Sequence, residues 1–252
     1  MKKKIRARVI SQREIGKDIF DLVLDAPEIA HQAVPGQFVS VYCQDGSRIL
    51  PRPISLCEIT DRTLRLVYRI AGAGTREISG CKAGDTLEIL GPLGNGFSLE
   101  EKGRAFLIGG GIGIPPMLEL AKRLPGAKQV LLGYRDERFL MEDFLPYGEV
   151  FAATEDGSFG TKGTVMDAIR ENHLEADVIY ACGPKPMLKA IKAYAAEHGI
   201  PAYISMEERM ACGVGACLAC VCTSTEVDEH TNQKNKRICK DGPVFEAQEV
   251  VL

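Results

Sequence analysis

The run Ala105-Phe-Leu-Ile-Gly-Gly-Gly-Ile-Gly-Ile-Pro-Pro-Met117 turns a short apolar strand into a helix through a glycine-rich corner. The apolar residues at 105–108 read as a buried strand, and Met117, Leu120, Ala121 and Leu124 then fall at helical spacing. Proline is favourable at a first helical position, where its missing N–H would be unpaired in any case. Gly111-x-Gly113-x-x-Pro116 follows the dinucleotide fingerprint, with proline in place of the last glycine. Small residues there let a pyrophosphate approach the backbone N–H groups at the helix start. Taken alone, the motif also fits a tight strand–helix turn with no ligand.

Downstream, strands are expected over 129–132, 150–153 and 178–181, and helices over 165–171 and 186–198, the second stopping at Gly199. This alternation predicts a parallel, doubly wound sheet. Cys182-Gly183-Pro184 follows the strand at 178–181, at the end where such sheets bind ligands. Cys182 is therefore a candidate beside a bound ligand, with a small buried thiol as the plainer alternative. Asp136 and Glu137 lie where an acid holds a ribose hydroxyl, roughly twenty residues beyond the glycine corner. Arg135 beside them suits a 2′-phosphate instead, so the spacing leaves NAD and NADP open.

Upstream, short runs rich in Val, Ile, Leu and Phe cover 5–10, 19–24, 37–43, 64–69 and 86–90, broken by Pro35-Gly36, Gly72-Ala-Gly74 and Gly91-Pro92. Short strands with such punctuation predict a closed or nearly closed antiparallel β-barrel. Arg52-Pro53-Ile54-Ser55 falls within it, followed by Tyr68-Arg69-Ile70 and Gly74-Thr75. Arginine offers a fixed fork of donors to a pyrophosphate. Ser55 can hydrogen-bond a ring nitrogen, and Gly74 permits close backbone approach. Each residue also has an ordinary explanation as strand or turn chemistry.

The composition changes near residue 206, and five of the nine cysteines lie in the last 47 residues. Cys212-x4-Cys217-x2-Cys220, with Cys239 further on, has the plant-type spacing of a [2Fe–2S] cluster. Thiolates on a tight loop cage one side of such a cluster, Gly213 and Gly215 let the backbone bend around it, and a distant cysteine closes the cage. Zinc held by four cysteines is the competing reading. Cys222 competes with Cys239 as fourth ligand, and Cys239 is preferred because a loop usually separates the last ligand from the others. The polar stretch 226–237 reads as a loop whose Lys234, Lys236 and Arg237 are solvated. Three divisions are expected: a β-barrel at 1–98, an α/β domain at 99–205 and a small cysteine domain at 206–252.

Thirty-one Lys and Arg against 34 Asp and Glu leave a net charge of −3, which argues against nucleic acid held by bulk charge. The longest uncharged stretches, 29–44 and 210–225, are 16 residues each and contain Gly and polar residues, so no membrane-spanning helix is expected. The basic opening has no apolar run behind it, and the odd cysteine count suits metal ligation or free thiols in a reducing, cytoplasmic setting. His31, His173, His198 and His230 are scattered, and no acid–base or nucleophilic constellation for a separate substrate stands out.

The order of barrel, Arg-Pro-x-Ser, glycine corner and Cys-Gly-Pro resembles the ferredoxin–NADP reductase superfamily. The stretch from Met206 to Cys222, the ending Asp241-Gly-Pro-Val-Phe-Glu, Gly91-Pro-Leu-Gly-Asn-Gly-Phe97 and Gly183-Pro-Lys-Pro-Met187 look like the electron-transfer subunits of dihydroorotate dehydrogenase B. The resemblance covers essentially the whole chain. It implies FAD in the barrel, with Arg52, Pro53, Ile54 and Ser55 as the first flavin motif, Tyr68, Arg69 and Ile70 as the second, and Gly74 and Thr75 as the third. It implies NAD(H) at Gly111, Gly113, Pro116, Gly183 and Pro184, and one [2Fe–2S] cluster. A nicotinamide passes two electrons at once, an iron–sulfur cluster passes one, and a flavin converts between them. The resemblance further implies an FMN-containing catalytic subunit as partner in pyrimidine biosynthesis, in a heterotetramer with two copies of each chain. Wider relatives carry Tyr where Ile54 stands and often a second Arg where Pro51 stands. A reductase feeding an oxygenase or another flavoprotein is the alternative.

Overall fold

The computed structural model describes residues 2–135, 137–228 and 232–252. The expected positions Asp136 and His230 fall outside them.

Six antiparallel strands close into a barrel in the order β1-β2-β5-β4-β3-β6. They are β1 (Lys3–Gly16), β2 (Ile19–Asp25), β3 (Phe38–Val41), β4 (Arg52–Ile59), β5 (Thr63–Arg69) and β6 (Thr86–Leu93). Two short helices, α1 (Pro27–Ala30) and α2 (Ala73–Ser79), sit on the connections. Alternation explains the closure. Leu64, Leu66 and Tyr68 of β5 point into the barrel with Ile54 and Leu56 of β4, while Val67 and Cys57 face outward into a second core. A register irregularity between Leu56 and Glu58 accompanies the change of side.

The second sheet has seven strands in the order β10-β9-β8-β7-β11-β12-β15. Its strands are β7 (Ala105–Gly110), β8 (Lys128–Tyr134), β9 (Glu149–Thr154), β10 (Thr161–Lys162), β11 (Val178–Cys182) and β12 (Ala202–Ser205), joined by α3 (Pro115–Arg123), α4 (Met141–Phe144), α5 (Val165–Glu171) and α6 (Lys185–His198). These six strands run parallel. Every residue of β7 is buried, which accounts for the unbroken apolar run at 105–108. Strand order reverses between β7 and β11, the crevice where open α/β sheets bind ligands.

The expected helical stripe on α3 is present, but the opposite face is buried as well, because α3 is wedged between the sheet and barrel strand β4. That wedge carries Glu119, fully buried, whose carboxylate accepts the Ile59 N–H of β4 at 2.8 Å and pairs with Arg123 at 2.5 Å. A second tie is Arg65. It grips Asp21 through two bonds of 2.9 and 3.0 Å on the outward face of the barrel and reaches Asp143 of α4 at 2.6 Å.

After the cysteine loop the chain forms a hairpin, β13 (Val221–Asp228) and β14 (Gln233–Arg237), where a loop was expected over 226–237. From residue 226 on, every residue of the hairpin but Val227 is polar, so no apolar face marks the strands there. The chain then returns to the second sheet, where β15 (Val244–Glu246) runs antiparallel to β12. Cys220, Cys222, Ile238, Cys239, Phe245 and Val250 consequently share one core with β7, β11 and α6.

Candidate functional site

Three loci carry the expected site residues: the barrel, the sheet crevice and the cysteine segment. The first is the outward face of β4. Ile54 lies inside the barrel, so Pro53 and Ser55 stand on the other side, in register opposite Ser40 and Phe38 of β3. The Arg52 guanidinium lies across Gly74 so closely that a Cβ at residue 74 would fall 2.0 Å from its Nε. Gly74 is therefore required by close approach, and the pair forms a cationic ledge suited to a phosphate. Thr75 caps its own helix, its Oγ1 accepting the N–H groups of Ala71 and Gly72 at 2.9 and 3.2 Å. The Tyr68 ring is buried against Phe20, and its hydroxyl donates to Gln12 at 3.0 Å. Tyr68 and Ile54 thus offer a ligand only their backbone, while Arg69 is exposed and the Ile70 N–H bonds the Asp18 carbonyl at 2.8 Å.

The second locus is the strand-order reversal. Gly111–Gly113 forms a single tight turn into α3, with Gly111 at φ +53°. A Cβ on Gly113 would stand 2.3 Å from the Cys182 carbonyl oxygen, and one on Gly183 would stand 2.5 Å from the Met187 methyl. Pro116 is buried in the first turn of α3, and Pro184 lies against Gly110 at the start of α6. The glycine corner and Cys182-Gly183-Pro184 are thereby packed together, leaving backbone at the floor of the crevice. Burial pushes the Cys182 thiol up to about 12, against the opposing pull of Ser205, so it stays protonated. Ser205 is its register partner on β12, and Glu207 follows, its carboxyl raised by burial and by Glu208.

Of the three residues expected near a ribose, Arg135 faces Glu155 at 4.0 Å with both exposed. The Glu137 carboxylate instead accepts the Lys17 N–H of the barrel at 2.8 Å.

The third locus is the cysteine loop. Gly213, Gly215 and Leu218 hold positive φ values of 67°, 88° and 57°, which coil the loop so that its amides point at sulfur. Val214 and Ala216 donate N–H groups to Cys212 Sγ at 3.4 and 3.3 Å, and Cys212 donates its own to Cys217 Sγ at 3.5 Å. Gly215 donates to Cys239 Sγ at 3.1 Å, and Cys239 donates to Cys220 Sγ at 3.4 Å. Each of the four sulfurs thus receives a backbone N–H, the arrangement that supports thiolate ligands. Burial raises the Cys212 thiol, but these amides outweigh it and bring the group down to about 6, whereas burial and the neighbouring Cys220 push Cys239 up to about 12. The Cys222 thiol donates to the Lys236 carbonyl at 3.5 Å within the hairpin. Among the described residues, no three His, Cys, Asp or Glu side chains converge as they would around one metal ion.

The first and third loci touch. Gly213 lies on Ser40, a buried serine of β3 that sequence reading did not single out and that stands in register with Pro53. Lys236 and Arg237, expected to be solvated, are instead paired, Lys236 with Glu249 at 3.0 Å and Arg237 with Asp241 at 2.9 Å.

Residues 207–251 match the family model of the iron-sulfur cluster binding domain of dihydroorotate dehydrogenase B. The chain is 42% identical over 253 residues, covering 100% of both chains, to the dihydroorotate dehydrogenase B (NAD(+)) electron transfer subunit of Caldanaerobacter subterraneus subsp. tengcongensis. It is 46% identical over 258 residues, covering 98% of both, to the subunit of that name from Bacillus caldolyticus. A solved NADH-dependent reduced ferredoxin-NADP oxidoreductase, studied for flavin-based electron bifurcation, superposes with a TM-score of 0.85 at 30% identity, covering 97% of this chain and 89% of that one. The ferredoxin reductase of carbazole 1,9a-dioxygenase shares the fold, with a TM-score of 0.68 at 21% identity, covering 81% of this chain and 69% of that one. No described helix is long and apolar enough to cross a membrane.

Proposed function

The chain belongs to the family of dihydroorotate dehydrogenase B (NAD(+)) electron-transfer subunits, and on that premise we propose how its residues carry electrons between a catalytic partner subunit and NAD+. The partner holds FMN and oxidises dihydroorotate to orotate in pyrimidine biosynthesis. Two copies of each chain form a cytoplasmic heterotetramer. Residues 1–98 hold FAD, 99–205 hold NAD(H) and 206–252 hold a [2Fe–2S] cluster.

When bound, FAD supplies the conversion between a two-electron hydride and single electrons. The chain's own residues bind and orient. Arg52, lying over Gly74, holds a phosphate of the flavin nucleotide, and Ser55 on the outward face of β4 hydrogen-bonds the ring. The backbone at Gly111, Gly113 and Gly183 seats the pyrophosphate of NAD(H). Cys182, kept as a neutral thiol by burial, fills the space beside the nicotinamide and excludes water. Cys212, Cys217, Cys220 and Cys239 supply four thiolates whose charge is met by loop amides.

The observation that carries this reading is contact between the cysteine loop and β3, one strand from the flavin motif: Gly213 lies on Ser40, and Ser40 is paired with Pro53. The test is the visible spectrum of anaerobically purified protein before and after NADH. Flavin bands over a broad cluster absorption, both bleached by NADH, are expected. Colourless, folded protein with stoichiometric zinc would overturn the reading. Dihydroorotate-dependent NAD+ reduction should require adding the catalytic subunit.

A further inference from the structure

The ending Asp241-Gly-Pro and the cation ahead of it have a geometry that ligand binding alone leaves unused. Arg237, the last residue of β14, is 7% exposed. Its Nε and Nη2 donate to the two oxygens of Asp241 at 2.9 and 3.2 Å, and its own backbone N–H donates to Asp241 Oδ2 at 2.7 Å. A second carboxylate, Asp228, stands 3.8 Å from Nη2. The Arg237 carbonyl accepts the N–H groups of Lys240 and Asp241 at 3.0 and 2.7 Å. These bonds close residues 237–241 into a knot with Cys239 inside it. The far side of the knot is held by the barrel: Asn95 donates its backbone N–H to the Gly242 carbonyl at 2.6 Å and its side-chain amide to the Asp241 carbonyl at 3.0 Å. Gly215, whose N–H meets Cys239 Sγ, packs on the Lys240 side chain of the same knot.

A forked Arg–carboxylate pair with its guanidinium buried fixes geometry in a way that a single flexible contact does not. We propose that Arg237 and Asp241 are a positioning pair for the Cys239 thiolate: their ion pair ties the loop carrying that ligand, Asn95 anchors the loop to the barrel, and the balance of the two charges sets the field at the cluster. The inference rests on Cys239 being the fourth ligand.

The experiment uses the full-length protein, purified anaerobically, as wild type, Asp241→Asn, Arg237→Gln, Arg237→Lys and Cys239→Ser. Iron and FAD are counted per chain, iron release to a ferrous chelator is timed, and the cluster midpoint potential is titrated in the visible spectrum. Asp241→Asn and Arg237→Gln are expected to keep FAD and to release iron roughly 10- to 100-fold faster, the range for lost outer-shell partners. Their midpoints should move in opposite directions, upward where the cation is left unbalanced and downward where the anion is, because net charge tunes such clusters. Arg237→Lys, which keeps the charge and loses the fork, should hold the wild-type midpoint while still releasing iron faster.

Wild-type release rates in both charge variants overturn the pairing, as do midpoints shifted in the same direction or FAD lost along with iron in all three variants. Cys239→Ser separates the two readings. Full iron in that variant overturns the ligand assignment itself. Lost iron there, with wild-type behaviour at Arg237 and Asp241, overturns only the positioning pair.

Discussion

Gly213 of the cysteine loop rests on Ser40 of the barrel, where a Cβ would lie 2.9 Å from the serine hydroxyl. Its φ of +67° adds a second reason for glycine. The contact links the cysteine loop to β3, whose neighbour β4 carries Pro53.

Gly213→Ala should therefore loosen the loop from the barrel. Left-handed backbone costs a non-glycine residue about 1–2 kcal/mol, before the contact with Ser40 is counted. The expected result is unchanged FAD, a lower iron-to-FAD ratio and slower cluster bleaching by NADH in stopped flow. Wild-type iron content and bleaching rate would show that the contact has no role.

Cys182 offers a separate prediction. It sits at the end of β11, against the glycine corner and beside Ser205. Burial holds it protonated through the neutral range, so the role expected of it is shape and exclusion of water, not nucleophilic attack. Cys182→Ala should slow NADH–dye reductase activity while leaving FAD and iron bound. The residual activity should show no new dependence on pH between 6 and 9, roughly the range in which an ordinary thiol begins to ionise. Undiminished dye reduction would remove Cys182 from the site.

The parts legible in the sequence are those where chemistry is local. The glycine corner, the cysteine spacing and the alternation of strand and helix all lie within short stretches, and each occurs at its expected position in the fold. The sequence of β4 does not announce a strand, because Pro53 lies within it and Pro51 just ahead, and proline lacks the donor that a ladder uses. Over 226–237 the hairpin of β13 and β14 reads as a loop because every residue there but Val227 is polar. Ser40, Asn95, Arg237 and Asp241 acquire their roles from partners distant in the chain or in a turn whose closure sequence spacing does not announce. In a polar stretch Arg237 has the signature of a solvated cation, and only the turn that brings Asp241 onto it gives it a partner.

Arg65 tests how the barrel and the second sheet are joined. Its two bonds to Asp21 lie on the outward face of the barrel, where Asp21 is nearly inaccessible, and only one arm crosses to Asp143. Arg65→Met strands the Asp21 carboxylate with the exposed Arg13 and should destabilise the chain by about 2–4 kcal/mol. Asp143→Ala removes only the crossing arm and should cost under about 1 kcal/mol. Urea unfolding followed by flavin fluorescence measures both. Equal losses in the two variants would place the energy in the crossing arm instead.

Glu119 gives the pH prediction. It is buried in α3 between the sheet and β4, and burial raises its carboxyl above the ordinary value near 4.5, with the Ile59 N–H and then Arg123 acting in the opposite direction. A carboxyl raised in the folded state binds its proton more tightly there than in the unfolded chain. Between the unfolded and folded values the native state holds more protons, so stability falls as pH rises through that interval. The contribution is full below about 4.5 and is lost once pH passes the folded value. Glu119→Gln keeps an acceptor for Ile59 and removes the titration. Its stability relative to wild type should therefore improve from pH 4 to pH 7, with the Arg123 ion pair lost at both ends of the comparison in differing degree. Chemical denaturation at the two pH values gives the difference directly. A variant whose deficit grows with pH would mean that the ion pair with Arg123 outweighs burial, and that α3 is held to the barrel chiefly by charge.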